Sequence, residues 1–237
     1  MRDQIFSQAN DLVDFTFDAN VANVFDDMVR RSVPGYQSMI EMIGLCVKTY
    51  GQDHTNYYDL GTSTGATAVA IGVNNIHQNT QIIAVDNSPS MIDKCTKTLN
   101  NKVDHAQVIC ADIETLEIEN ASLVVLNLTL QFITPDNRQA LIDKIYQGLN
   151  KGGALIISEK IHFNDPQKQQ QMTQLHLDFK RANGYSELEI AAKRQSIENV
   201  LITDSQETHL ERLQLAGFST QACHFQCLNF ACFLAVK

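Results

Sequence analysis

The sequence has no tryptophan, only four prolines among 237 residues, and no apolar run near the ~18 residues a membrane span requires. Its first residues, "MRDQIFSQAND", lack the apolar centre of a signal peptide, so a cytoplasmic location with reduced thiols is expected. Zinc-knuckle spacing is missing too. Cys223, Cys227 and Cys232 do not form a C-x-x-C pair and fall in "ACHFQCLNFACFLAV", which reads as two adjoining strands, so no metal is expected. Cys46, Cys95 and Cys110 stand singly in apolar patterns and are expected in the core, where free cysteine usually packs. Positive charge is also scarce, with 18 Lys and Arg against 27 Asp and Glu and a net charge of −9. Neutralising phosphates supplies most of the affinity for nucleic acid, so this balance favours a small substrate over direct tRNA binding. Basic doublets occur at Arg30-Arg31, Lys180-Arg181 and Lys193-Arg194, and the first two read as solvated helix surface.

What is present is core material, 44% of the residues being hydrophobic. From about residue 55, short apolar runs alternate with helical patterns: "NYYDLG", "QIIAVD", "HAQVICAD", "ASLVVLNLTL" and "ALIISE" as strands. Between them lie a helix from Gly65 to Ile76, one opened by Ser88 and Pro89, and one opened by Thr134-Pro135. This order predicts an α/β fold with a mostly parallel sheet and helices on both faces. The rhythm breaks after Glu159, where residues 160–203 read as a helical insertion over the carboxyl edge of the sheet. It resumes with a helix near "DSQETHLERLQLAGF" and two closing strands. The first 50 residues read as a helical cap on that same edge, and residues 1–237 as one domain.

The loop "YDLGTSTGATAVAIG" admits two readings. Gly61-Thr62-Ser63-Thr64-Gly65 spells the G-x-S-x-G elbow of α/β-hydrolases, with Ser63 as nucleophile. Only one strand precedes it, however, no HGGG-like segment lies upstream, and nothing marks His162, His176 or His209 as a triad partner. The second reading is a nucleotide seat. The loop joins the first strand to its helix, where amide groups can face a ligand and small residues allow its approach. Asp86 ends the second strand, placed to accept both ribose hydroxyl protons, and Asp112 follows the third strand, placed for adenine.

Strand, glycine loop, acid and then "AD" is similar to the class I S-adenosylmethionine-dependent methyltransferases, with a seven-stranded Rossmann-like sheet. At full length, "RSVPGY", "AVDNSPSMI", "IENASLVVLNLTLQF", "LIDKIYQGLNKGGALIISEK", "DFKRANGYSELEI" and "KRQSIENVLITDS" resemble the bacterial carboxy-S-adenosyl-L-methionine synthases. The resemblance implies that prephenate donates its carboxylate to the methyl group of S-adenosyl-L-methionine, leaving phenylpyruvate. It implies a homodimer whose product goes to a separate enzyme that modifies the wobble uridine of certain tRNAs. It implies cofactor contacts from Tyr36, from Gly61, Thr62 and Ser63 (often cysteine in the family where Thr62 stands), and from Asp86 and Asn87 at the ribose. Asp112 and Ile113 would hold the adenine and Asn127 would face the methionine end. Arg194, from the partner subunit, would bind the transferred carboxylate. Residues alone leave ordinary roles open: Asp112 as a turn cap, Asn127 at a strand end, Tyr36 as a core aromatic, Arg194 as a solvated charge. Two rival functions also stand, a methyltransferase acting on tRNA or a small metabolite, and a non-catalytic S-adenosylmethionine-binding regulator.

Overall fold

A computed structural model describes residues 2–5, 15–100 and 102–237. Runs rich in Val, Ile and Leu, bounded by glycine or asparagine turns, form the central strands because both of their faces are covered. β1 (Asn56–Leu60), β2 (Gln81–Asp86), β3 (Ala106–Cys110), β4 (Ala121–Asn127) and β5 (Leu149–His162) run parallel in the order β3-β2-β1-β4-β5. β8 (Phe230–Val236) pairs antiparallel with β5, and β7 (Thr220–Cys227) pairs antiparallel with β8. The expected seven strands make up this path. A two-residue β6 (Asp204–Ser205) is added beside Ile161 and His162 at the end of β5.

Alternate residues of β4 serve the two sheet faces. Val124 and Leu126 join one core with Ile142 and Ile145 of α5 (Pro135–Gly148) and Leu213 of α8 (Gln206–Ala216). Leu123 and Val125 join the other. That second core takes Ile43 and Val47 from α2 (Tyr36–Tyr50), Ala68 and Ile71 from α3 (Ala66–Asn74), and Cys95 and Leu99 from α4 (Pro89–Leu99). Burying each such Val, Leu or Ile side chain contributes about 1.5–3 kcal/mol.

Several expectations change here. α2 lies against a sheet face, because its apolar stripe covers β4 and β5, with Ile43, Cys46 and Val47 beside Leu123, Val125, Ala154 and Ile156. α1 (Ala19–Ser32) stays at the carboxyl edge, where Val21, Ala22, Val24 and Met28 pack with Phe15 and Met91. The expected cap over residues 6–14 lies outside the described residues. The fourth strand stops at Asn127 and does not run through "LTL": Leu128 takes φ 60°, and Leu130–Phe132 form a 3-10 turn. That turn is held by Glu159, whose carboxylate accepts the N–H groups of Thr129, Leu130 and Gln131 at 3.1, 2.7 and 3.2 Å. Cys46 and Cys95 are buried, but Cys110 is exposed, since β3 is the sheet's edge strand. Of the basic doublets read as solvated, Arg31 departs: its guanidinium donates to the carbonyls of Asp3, Asn183 and Gly184.

Ser88 caps α4 by accepting the Met91 N–H, with Pro89 at the first helical position. α6 (Pro166–Ala182) is capped by Asp165. α7 (Glu187–Ile197) opens with a reciprocal Ser186–Glu189 capping box. One stripe of α6 and one of α7 line a cavity together with Gly61, Asn127 and Lys160 at the carboxyl ends of β1, β4 and β5.

Candidate functional site

The glycine loop is built by internal bonds. Gly61 takes φ +80°, and a Cβ there would stand 2.3 Å from Thr129 Oγ1, so only glycine fits. The Gly61 and Thr62 N–H groups both donate to the Val85 carbonyl, at 2.8 and 2.9 Å. Ser63, at φ 50°, donates its N–H to Asp86 Oδ2 at 2.9 Å. Three amides of the loop, those of Gly61, Thr62 and Ser63, thus hold its own shape. The Thr62 hydroxyl points inward, donating to Asp59 Oδ2 at 2.6 Å. Asp59 is fully buried, and burial raises its pKa to about 7. Thr64 donates to Asp26 Oδ1 at 2.6 Å, tying the loop to α1.

Two connected hollows flank the loop and share Phe15, Phe17, Gly61, Ser63, Leu128 and Phe132. The first is a groove that gathers Asp86, Asn87, Asp112 and Ile113. Asp86 also accepts the Ser88 N–H on Oδ1 at 2.9 Å, and Asp112 Oδ1 accepts the Glu114 N–H at 2.8 Å. A carboxylate can accept about four hydrogen bonds, so acceptor capacity remains on both acids.

The second hollow is a chamber containing Tyr36, Asn127 and Arg194 together with Gly61, Thr62 and Ser63. Asn127 Nδ2 donates to Thr67 Oγ1 at 3.0 Å, while its Oδ1 is buried with no partner among the described residues. Lys160, Lys180, Lys193 and Arg194 line the chamber, and among the described residues no Asp or Glu lines it. Lys193 is almost wholly buried; desolvation, then the Lys180 cation, pushes its pKa down to about 7. Lys180 falls to about 8 through burial and the nearby Lys160 and Arg194 charges. Burial likewise lowers Lys160, and it drives His176 down to about 3. His176 is the histidine that shares the chamber with Ser63, but its Nε2 faces the Ser32 carbonyl at 2.8 Å and so carries the proton. His176 Nδ1 accepts from Asn229 Nδ2 at 3.5 Å, and among the described residues no hydrogen bond joins the Ser63 hydroxyl to a base, which counts against the elbow reading.

The comparisons with known proteins agree with this layout. Residues 58–153 match a family described as a methyltransferase domain. An O-methyltransferase family protein from Burkholderia thailandensis superposes with TM-score 0.67 at 15% identity, over 93% of this chain and 60% of that one, a likeness of fold. The carboxy-S-adenosyl-L-methionine synthase of Ruthia magnifica subsp. Calyptogena magnifica is 70% identical over all 237 residues, covering both chains completely. The synthase of Enterobacter sp. (strain 638) is 52% identical over 100% of this chain and 97% of its own.

The chain belongs to the carboxy-S-adenosyl-L-methionine synthase family.

In this synthase-family chain the ten expected contact residues fall into one continuous site, divided between groove and chamber. Arg194 lines the chamber of the chain that carries it, with its side chain exposed. The lysines were missed. Reading Lys180 as solvated surface is corrected, because only its neighbour Arg181 faces out, paired with Asp178 and Glu187. The signal was the helical period. Gln169, Thr173, His176, Leu177 and Lys180 share one stripe of α6, and Ile190, Lys193, Arg194 and Ile197 share one of α7.

Proposed function

We propose that this chain carboxylates the methyl group of S-adenosyl-L-methionine with prephenate as donor, yielding carboxy-S-adenosyl-L-methionine and phenylpyruvate. One observation carries the reading: a chamber lined by four cations and, among the described residues, no carboxylate, opening on the groove of an acidic chain. Such a chamber takes a small polyanion next to the cofactor, whereas an ordinary methyl acceptor needs no such charge.

The groove supports the adenosine, with Asp86 and Asn87 at the ribose and Asp112 and Ile113 at the adenine. The unpartnered Asn127 Oδ1 is an acceptor suited to the ammonium of the methionine end. When the donor's ring becomes aromatic it releases carbon dioxide and hydroxide. The hydroxide removes a proton from the S-methyl group, forming water, and the carbon left with the electron pair bonds the carbon dioxide. No protein base enters this balance. The chain's part is to orient both molecules and exclude water, with Arg194 gripping the new carboxylate through two charge-assisted bonds.

A homodimer, a cytoplasmic setting and a separate tRNA-modifying enzyme that consumes the product belong to the same reading, with Arg194 taken from the chain whose chamber it lines. Mixed dimers test that source: an Arg194→Ala subunit combined with a Gly61→Ala subunit stays inactive, whereas regained activity means that arginine and loop come from different chains. The reaction itself is tested by incubating purified protein with S-adenosyl-L-methionine and prephenate and weighing the nucleoside products. A gain of one CO2 on the cofactor is expected. No gain refutes the reading, and methyl transfer to tRNA without prephenate replaces it.

A further inference from the structure

The chamber's cations come from three elements that enclose it: Lys160 near the end of β5, Lys180 on α6, Lys193 and Arg194 on α7. No ion pair among the described residues uses any of them. Lys193 Nζ donates to Ser32 Oγ at 3.0 Å and stands 5.7 Å from the Tyr185 ring centroid. Asp3, the carboxylate among the described residues whose charge bears on Lys193, accepts the Tyr185 hydroxyl at 2.6 Å and the N–H of Ile5 at 3.2 Å. His176 stays neutral and gives no charge to the cluster. Gathering four like charges in a half-desolvated hollow is costly unless an anion completes the set. Phe15, Phe17, Phe25, Phe132 and Phe230 also line the chamber.

One carboxylate occupies the fork of Arg194 and leaves three ammonium groups unmatched. We infer that Lys160, Lys180 and Lys193 form the seat of the donor, holding both carboxylates of a ring-bearing dicarboxylate, while Arg194 keeps the carboxylate that remains on the product. This rests on the reaction proposed above and names the residues that recognise its donor. Phenylpyruvate, carrying one carboxylate, leaves the seat more easily than the donor entered, which favours release. The charged and titratable groups facing Lys180 are Lys160, Lys193, Arg194 and His176; those facing Lys193 are Lys180, His176, Asp3, Arg31 and Tyr185. With Lys193 and Lys180 titrating near neutrality in the empty chamber, a dianion restores their charge, so binding takes up protons at pH 8.

Lys160→Met, Lys180→Met and Lys193→Met keep the aliphatic stem and remove the charge. Each is expected to raise KM for prephenate about tenfold or more, with the Kd for S-adenosyl-L-methionine within about twofold of wild type. Lys180→Arg is expected to restore KM and to flatten its rise above pH 8, since guanidinium stays charged there. Calorimetry uses prephenate with S-adenosylhomocysteine, which has no methyl to react, in two buffers of different ionisation enthalpy. Wild type should show proton uptake, diminished in the Lys180→Met and Lys193→Met proteins. Turnover with KM unchanged in all three variants, or binding without proton uptake, overturns the seat and leaves the reaction standing. Prephenate binding that depends on the lysines, with no carboxylated product, upholds the seat and overturns the reaction.

Discussion

Gly61→Ala isolates what the loop glycine does. At φ +80° any L-residue costs about 1–2 kcal/mol. The new methyl carbon would lie 2.3 Å from Thr129 Oγ1, 2.5 Å from Cγ2 and 2.9 Å from Cβ. Thr129 cannot retreat freely, because its own N–H is held by Glu159 at 3.1 Å. Overpacking of this kind costs about 1–3 kcal/mol. The sum is about 2–5 kcal/mol of lost stability, read as a lower urea midpoint with unchanged slope. Thr129→Ala alone should cost less than about 1 kcal/mol, as its hydroxyl makes only a 3.4 Å contact with the Asn127 carbonyl. The double variant removes two of the three close atoms and should recover about 1–2 kcal/mol, leaving the backbone term. Additive losses in this cycle would refute the steric argument. A Gly61→Ala protein within about 0.5 kcal/mol of wild type would refute both terms.

Ser63→Ala should retain measurable activity, since the Asp86 bond uses the Ser63 backbone; a loss as large as that of a nucleophile in a turnover assay would restore the elbow reading. Arg194→Ala should raise the Kd for carboxy-S-adenosyl-L-methionine about tenfold or more and that for S-adenosyl-L-methionine far less, and equal losses by calorimetry would remove Arg194 from carboxylate recognition. Asp59 has a folded pKa raised from 3.8 to about 7. Its stabilising contribution is therefore full below about pH 4 and lost as pH rises through 7. Denaturation from pH 4 to 8 should show Asp59→Asn gaining on wild type as pH rises; a constant gap would place the titration elsewhere.

Much of the site was legible because its residues sit where strands end. The terminal acid of "QIIAVD" and the "AD" after β3 are fixed by strand period and by the crossover that follows, so Asp86 and Asp112 could be placed from the sequence. The end of β4 could not. Apolar residues continue to Leu130, and only the Glu159 carboxylate, from a strand that comes later in the chain, turns Thr129–Gln131 away from the sheet. α2 was misplaced for a related reason: its amphipathic stripe says that it packs, not on which surface. The lysines were hidden by their neighbours. Lys180-Arg181 looks like a doublet of surface charge, yet one residue step along the helix turns the side-chain direction by about 100°, so Lys180 enters the chamber while Arg181 pairs with Asp178 and Glu187.

Asp86 answers to two tasks at once. Its Oδ2 fastens the Ser63 amide, 23 residues earlier, and its Oδ1 fastens Ser88 at the threshold of α4. The same carboxylate faces the groove in which a ribose would lie. Under the proposed function, sugar recognition and loop assembly share one side chain, and neither can be adjusted alone. Lengthening it to glutamate would move both clasps by a methylene, and Asp86→Asn would turn an acceptor towards an amide that also donates. Selection acting on which nucleoside enters has little freedom at this position. Changes in ligand preference have to come from Asn87, Asp112 and Ile113, whose replacement leaves the clasp closed.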